Sequence, residues 1–178
     1  MISSTSMRDF DDNEFPLAYL ITFRCYGTWL HGDARGSMDP KHHLYGAPKI
    51  AASQTFENSN RQQLKHAPVA LDAPRRKVVE EAVRGVCDYR KYVLRALNAR
   101  TNHVHCVVTA MCKPEPVLDA FKAYATRALR GAGLIGLKMK PWARHGSTIY
   151  LWKEKDVAKA IEYVIQGQGE EMFRLDED

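Results

Sequence analysis

His103 and His105, separated by one residue, are the feature of this sequence best able to do chemistry. They sit in the run 102–109, where Val104, Cys106, Val107 and Val108 make an apolar, β-branched stretch that predicts a buried strand. Side chains alternate faces along a strand, so both imidazoles point to one side. Neutral imidazoles are nitrogen donors, and two on one surface can hold a divalent ion. The same spacing also suits two histidines lining an ordinary strand, so the reading depends on what else the chain brings.

It brings a tyrosine on the next predicted helix, 116–131. Leu118, Phe121, Ala125, Ala128 and Leu129 form the apolar face of that helix, and Tyr124 falls at the edge of the stripe. Lys122, Arg127 and Arg130 lie on the same helix, and Lys138, Lys140 and Arg144 lie in a basic loop, 138–145. These cations are candidates for holding nucleic-acid phosphates. Together the pieces suggest one reaction. A metal held by His103 and His105 polarises a phosphate, and a tyrosine hydroxyl attacks the phosphorus to form a covalent link. A phenoxide is a fair leaving group, so a 3′-hydroxyl can reverse the link. Tyr124 is the expected nucleophile. Tyr89, Tyr92, Tyr150 and Tyr163 compete, and Tyr163 is the nearest rival because it also lies on a helix, after the last strand.

The elements that must position these groups follow from periodicity. The run 18–26 reads as a first strand closed by Gly27. A long segment, 28–72, carries Gly, Pro, Ser and Asn clusters, with a weak helix at 53–64. Asp72 caps a helix over 74–88, in which Val79, Ala82, Val83 and Val86 form a stripe. A hairpin joins a strand at 92–98 to the histidine strand. After the helix 116–131 and the basic loop comes a strand at 147–153, then a helix at 156–165. This order predicts an α+β, ferredoxin-like antiparallel sheet with its helices on one face and a long loop inserted after the first strand.

Composition adds weaker bounds. The chain has 178 residues, a net charge of +5 and a pI near 9.0, which suit one domain and a polyanionic partner. Cys25, Cys87, Cys106 and Cys112 show no paired spacing, so reduced thiols are expected. No apolar run reaches membrane-spanning length and the polar residues 1–15 read as a flexible N-terminus, so a cytoplasmic protein with no membrane partner is expected. His31, His42 and His43 in the long loop fit no established metal spacing. Tyr26, Trp29, Tyr45, Trp142 and Tyr150 are candidates for stacking unpaired bases or anchoring the core.

The chain resembles the single-tyrosine HUH transposases of insertion sequences, including the REP-associated tyrosine transposases. The resemblance rests on the segments 19–33, 102–108, 122–129, 142–152 and 163–165. It implies one HUH transposase-like domain over 16–178. It also implies Mg2+ or Mn2+ as cofactor, and cleavage and rejoining of single-stranded DNA with a hairpin through a 5′-phosphotyrosine. A homodimer is compatible with the family. In that scheme His103 and His105 are metal ligands and Tyr124 is the nucleophile. The chain departs from the family where a polar residue about one turn after the tyrosine completes the metal site. Here Arg127 and Ala128 stand there, and Gln166, Gln168, His145 or a water would have to substitute. That gap leaves a rival function, a hairpin-binding module on the same fold without catalysis.

Overall fold

The computed structural model describes residues 15–28, 53–166 and 173. The elements run β1 (Ala18–Cys25), α1 (Gln54–Gln62), α2 (Ala73–Arg90), β2 (Val93–Ala99), β3 (His103–Thr109), α3 (Pro114–Gly131), β4 (Trp142–Leu151) and α4 (Glu154–Gln166). The expected N-terminal segment, most of the long loop and Gln168 lie outside the described residues. The helix expected late in that loop is α1.

Local chemistry accounts for the ends of α2. The Asp72 carboxylate accepts from the backbone N–H of Arg75 at 3.0 Å, and Pro74 occupies the first turn, where an N–H would have no helical partner. Lys91 ends the helix in the left-handed region, at φ 60°. Val79, Val83, Val86 and Cys87 are its buried stripe.

The four strands form one antiparallel sheet in the order β2-β3-β1-β4, the ferredoxin-like arrangement. Since β1 and β2 are therefore parallel, as are β3 and β4, α2 and α3 are crossover connections. Right-handed crossovers place both on the same face. There they cover Tyr19, Ile21, Phe23, Val104, Cys106 and Val108. The sequence reading put every helix on this face, and α4 departs from it. Among the described residues no strand follows α4 to make it a crossover, and it packs Val157, Ala160 and Val164 on the other face over Ala18, Leu20, Ala96 and Val107. Burying that second apolar set requires a cover, and α4 provides it.

The basic loop is also shorter than expected, because β4 begins at Trp142. Trp142 is buried edge-on against Phe23, with ring centroids 4.9 Å apart. Its indole N–H donates to the Lys122 carbonyl and to Thr126 Oγ1 at 3.1 and 3.0 Å. Pairing with β1 shifts register between Phe23 and Cys25, so the strand accommodates a bulge there. The cysteines match expectation: all four are free thiols, three of them buried. Among the described residues no helix is long and apolar enough to cross a membrane.

Gly146 packs at the centre of the β1–β4 pair, opposite Phe23. A Cβ there would stand 2.7 Å from the Thr22 carbonyl oxygen and 2.9 Å from Leu118 Cδ2, closer than real contacts allow. Gly146→Ala should therefore lower stability by about 1–3 kcal/mol, as overpacking does. Urea denaturation checks this, and an unchanged midpoint would mean the strand shifts without cost.

Candidate active site

His103, His105 and Val107 alternate with the buried Val104, Cys106 and Val108, and so face α4. In the sheet register, His105 is flanked by Asn98 on β2 and Thr22 on β1, with Ser147 of β4 beyond Thr22. His103 is opposite Arg24. The two imidazole centroids are 4.2 Å apart.

Each ring is held at its Nδ1 side. The His103 Nδ1 lies 2.6 Å from Asn102 Oδ1, an acceptor only, so Nδ1 is the donor of this bond. The His105 Nδ1 lies 2.8 Å from Thr22 Oγ1. Burial pulls the His105 pKa down to about 3, with smaller contributions from His103 in its protonated form and from the positive charges of Arg24 and Arg100. The ring is thus the neutral donor that a metal requires. Two imidazoles on one face, His105 held neutral by burial, fit a divalent ion whose other ligands are water and phosphate oxygens. Among the described residues no group of three His, Cys, Asp or Glu side chains is arranged to hold a metal.

The tyrosine beside this pair is Tyr163. Its ring centroid is 5.3 Å from that of His105, at an interplanar angle of 70°. Tyr163 is half-buried on α4, also touching Phe173 at 5.5 Å. Tyr124, the expected nucleophile, belongs to the opposite layer. It packs with α3 against the core under α2 and α3, beneath the Arg127 guanidinium 4.6 Å from its ring. The sheet separates it from the histidines. The reason is topological: α3 is a crossover helix and α4 is not.

The expected phosphate contacts divide. Lys122 is turned inward, its Nζ donating to the carbonyls of Ala143, Arg144 and His145 at 3.0, 3.3 and 3.1 Å. Burial lowers its pKa. Arg130 donates to the Met139 carbonyl at 3.0 Å, and its buried Nε has no partner among the described residues. Lys122 therefore ties down the start of β4, and Arg130 the segment leading into it. Arg127, Lys138, Lys140 and Arg144 are exposed. The arginines whose charge acts on His105 are instead Arg24 and Arg100, neither of them among the expected phosphate contacts. For Arg24 the signal was the alternation of β1, which puts Thr22 and Arg24 on one face, together with a pairing register that no local pattern reveals. Of the proposed substitutes for a third ligand, Gln166 is exposed at the end of α4, His145 is exposed on β4, and Gln168 is not described. Trp142 is a core anchor, and Tyr26 stacks on His66.

Two measurements test this geometry. The unfolded chain takes up a proton on His105 below about 6.5 and the folded chain only near 3, so stability should fall as pH drops through that window. By NMR, the His105 ring should stay neutral from about pH 8 down to about pH 5, and a midpoint near 6.5 would contradict its burial. Lys122→Met should cost about 2 kcal/mol in denaturation. It should leave the salt dependence of oligonucleotide binding unchanged, whereas loss of a phosphate contact would reduce that slope by about 1.

No protein-family model and no curated protein matches the sequence. Solved structures do match the fold. A REP-associated tyrosine transposase bound to a REP hairpin aligns over 92% of this chain and 72% of its own, with a TM-score of 0.51 and 11% identity. A protein of Deinococcus radiodurans R1 provisionally described as a transposase aligns over 91% of this chain and 98% of its own, with a TM-score of 0.48 and 14% identity. At 11% identity, the likeness to the REP-associated transposase is one of fold alone.

Proposed function

We propose that this protein is a metal-dependent transposase, or a domesticated relative, that cleaves and rejoins single-stranded DNA carrying a hairpin. The observation that carries the reading is the Tyr163 ring lying against His105, on the face where His103 and His105 are paired. The fold shared with a transposase whose structure holds a REP hairpin supports the choice of DNA. Fold alone would not assign chemistry.

In this reading His103 and His105 would hold Mg2+ or Mn2+, which when bound would supply Lewis-acid stabilisation of charge at the scissile phosphate. Asn102 and Thr22 keep both rings oriented through Nδ1. Tyr163 supplies the phenolic oxygen that bonds to phosphorus as the bond to the 3′-oxygen breaks. The phenolic proton leaves to solvent and the departing 3′-oxygen gains one, leaving a 5′-phosphotyrosine and a free 3′-hydroxyl. Attack by a 3′-hydroxyl reverses these steps and rejoins the strand. Arg24 and Arg100 lie close enough to perturb His105 and can meet the flanking phosphates.

The rival reading, hairpin binding without cleavage, is favoured by one observation: among the described residues no third His, Cys, Asp or Glu joins the pair. Incubation with a labelled single-stranded hairpin oligonucleotide and Mn2+ separates the two. Cleavage predicts a covalent adduct that survives denaturation and maps to Tyr163. Tyr163→Phe should abolish it, and Tyr124→Phe should leave it intact. Salt-sensitive binding with no adduct would establish the binding module, and an adduct on Tyr124 would overturn the choice of nucleophile.

A further inference from the structure

The last turn of a helix leaves backbone carbonyls without helical partners, and water usually meets them. In α4 one of them, that of Val164, is met instead by Asn98 Nδ2 at 2.9 Å. Asn98 is on β2, directly across from His105 in the strand register, and on the same face. The Val164 side chain is itself buried in the core under α4. Residue 164 is therefore anchored twice, through its side chain and through its carbonyl. The residue before it is Tyr163, whose ring meets His105. One cross-strand pair thus carries both partners: His105 takes the ring, and Asn98 holds the backbone from which the ring projects.

We infer that Asn98 is a positioning residue that sets how deeply the end of α4 seats on the sheet, and hence where the Tyr163 hydroxyl lies relative to the histidine pair. Its link to catalysis rests on the proposed role of Tyr163; its effect on geometry does not. Hydrophobic packing alone cannot do this job. The apolar stripe of α4 holds the helix on the sheet but tolerates sliding and rolling, whereas a hydrogen bond to one carbonyl fixes register along the helix axis.

Two readouts test the inference separately from the reaction. The first is the NMR shift of the His105 ring protons, which carries the ring current of Tyr163; Tyr163→Leu defines its absence. Asn98→Asp keeps the side-chain shape but cannot donate when ionised. It should move the His105 shifts most of the way toward those of Tyr163→Leu. Asn98→Ala, which brings no charge near the carbonyl, should do the same and serves if the aspartate variant folds poorly. His105 shifts that stay at wild-type values in the folded Asn98→Ala protein would overturn the inference, whether or not the protein cleaves DNA. The second readout is the rate of adduct formation with the hairpin oligonucleotide and Mn2+. At saturating oligonucleotide the rate should fall about 10- to 100-fold, the usual effect of a small misplacement of reacting atoms, with the dissociation constant unchanged. A wild-type rate alongside displaced His105 shifts would also overturn it. Absence of any adduct in the wild-type protein would instead count against the proposed function, while the NMR result would still decide the role of Asn98 in placing Tyr163.

Discussion

The two-residue period of β3 is the constraint on which the rest of the site depends. Because β3 is a central strand, both of its faces are covered, and its residues divide without exception. Val104, Cys106 and Val108 go to the core beneath α2 and α3, while His103, His105 and Val107 go to the face beneath α4. A slip of one residue would drive both imidazoles into the larger core and lift three apolar side chains out of it. The hydrophobic effect thus enforces the placement of the polar pair. Once it is enforced, α4 is the described helix that can bring a tyrosine to the histidines.

The same burial sets their electrostatics. Desolvation holds His105 neutral, and the nearby positive charges of Arg24 and Arg100 act in the same direction. A neutral imidazole is a good metal ligand and a poor phosphate ligand, so the cations around it complement its role rather than repeat it. Elsewhere positive charge has been put to structural use. Lys122 spans from α3 to three successive carbonyls at the start of β4, where the bulge leaves backbone acceptors unpaired by the ladder, and Arg130 reaches the Met139 carbonyl. A basic residue on a helix signals a phosphate contact only when the backbone around it is already satisfied. Near a bulged edge strand it is not.

Particular residues mark how far the sequence was legible. The stripe of Val79, Val83 and Val86, the cap at Asp72 and the alternation through 103–108 are local patterns, and each element they predict is present. The start of β4 was missed because Arg144, His145 and Gly146 carry no strand propensity. Pairing with β1 and the burial of Trp142 impose the extended conformation from outside. Asn98 and Thr22 look like ordinary strand polar residues. Their significance lies in standing on either side of His105, and strand register is a property of three segments together.

What the sequence by itself determined, then, was everything with a short period: the helices and strands, their order, the ferredoxin-like class, and two imidazoles sharing a face. Tertiary structure alone decided which tyrosine shares that face. Tyr124 and Tyr163 both lie near the apolar stripe of an amphipathic helix, and local physics cannot rank them. Crossover handedness sends α3 to one side of the sheet, and the apolar set of Ala18, Leu20, Ala96 and Val107 draws α4 to the other. That choice is made by contacts between segments far apart in the chain, which is why no window of the sequence contains it.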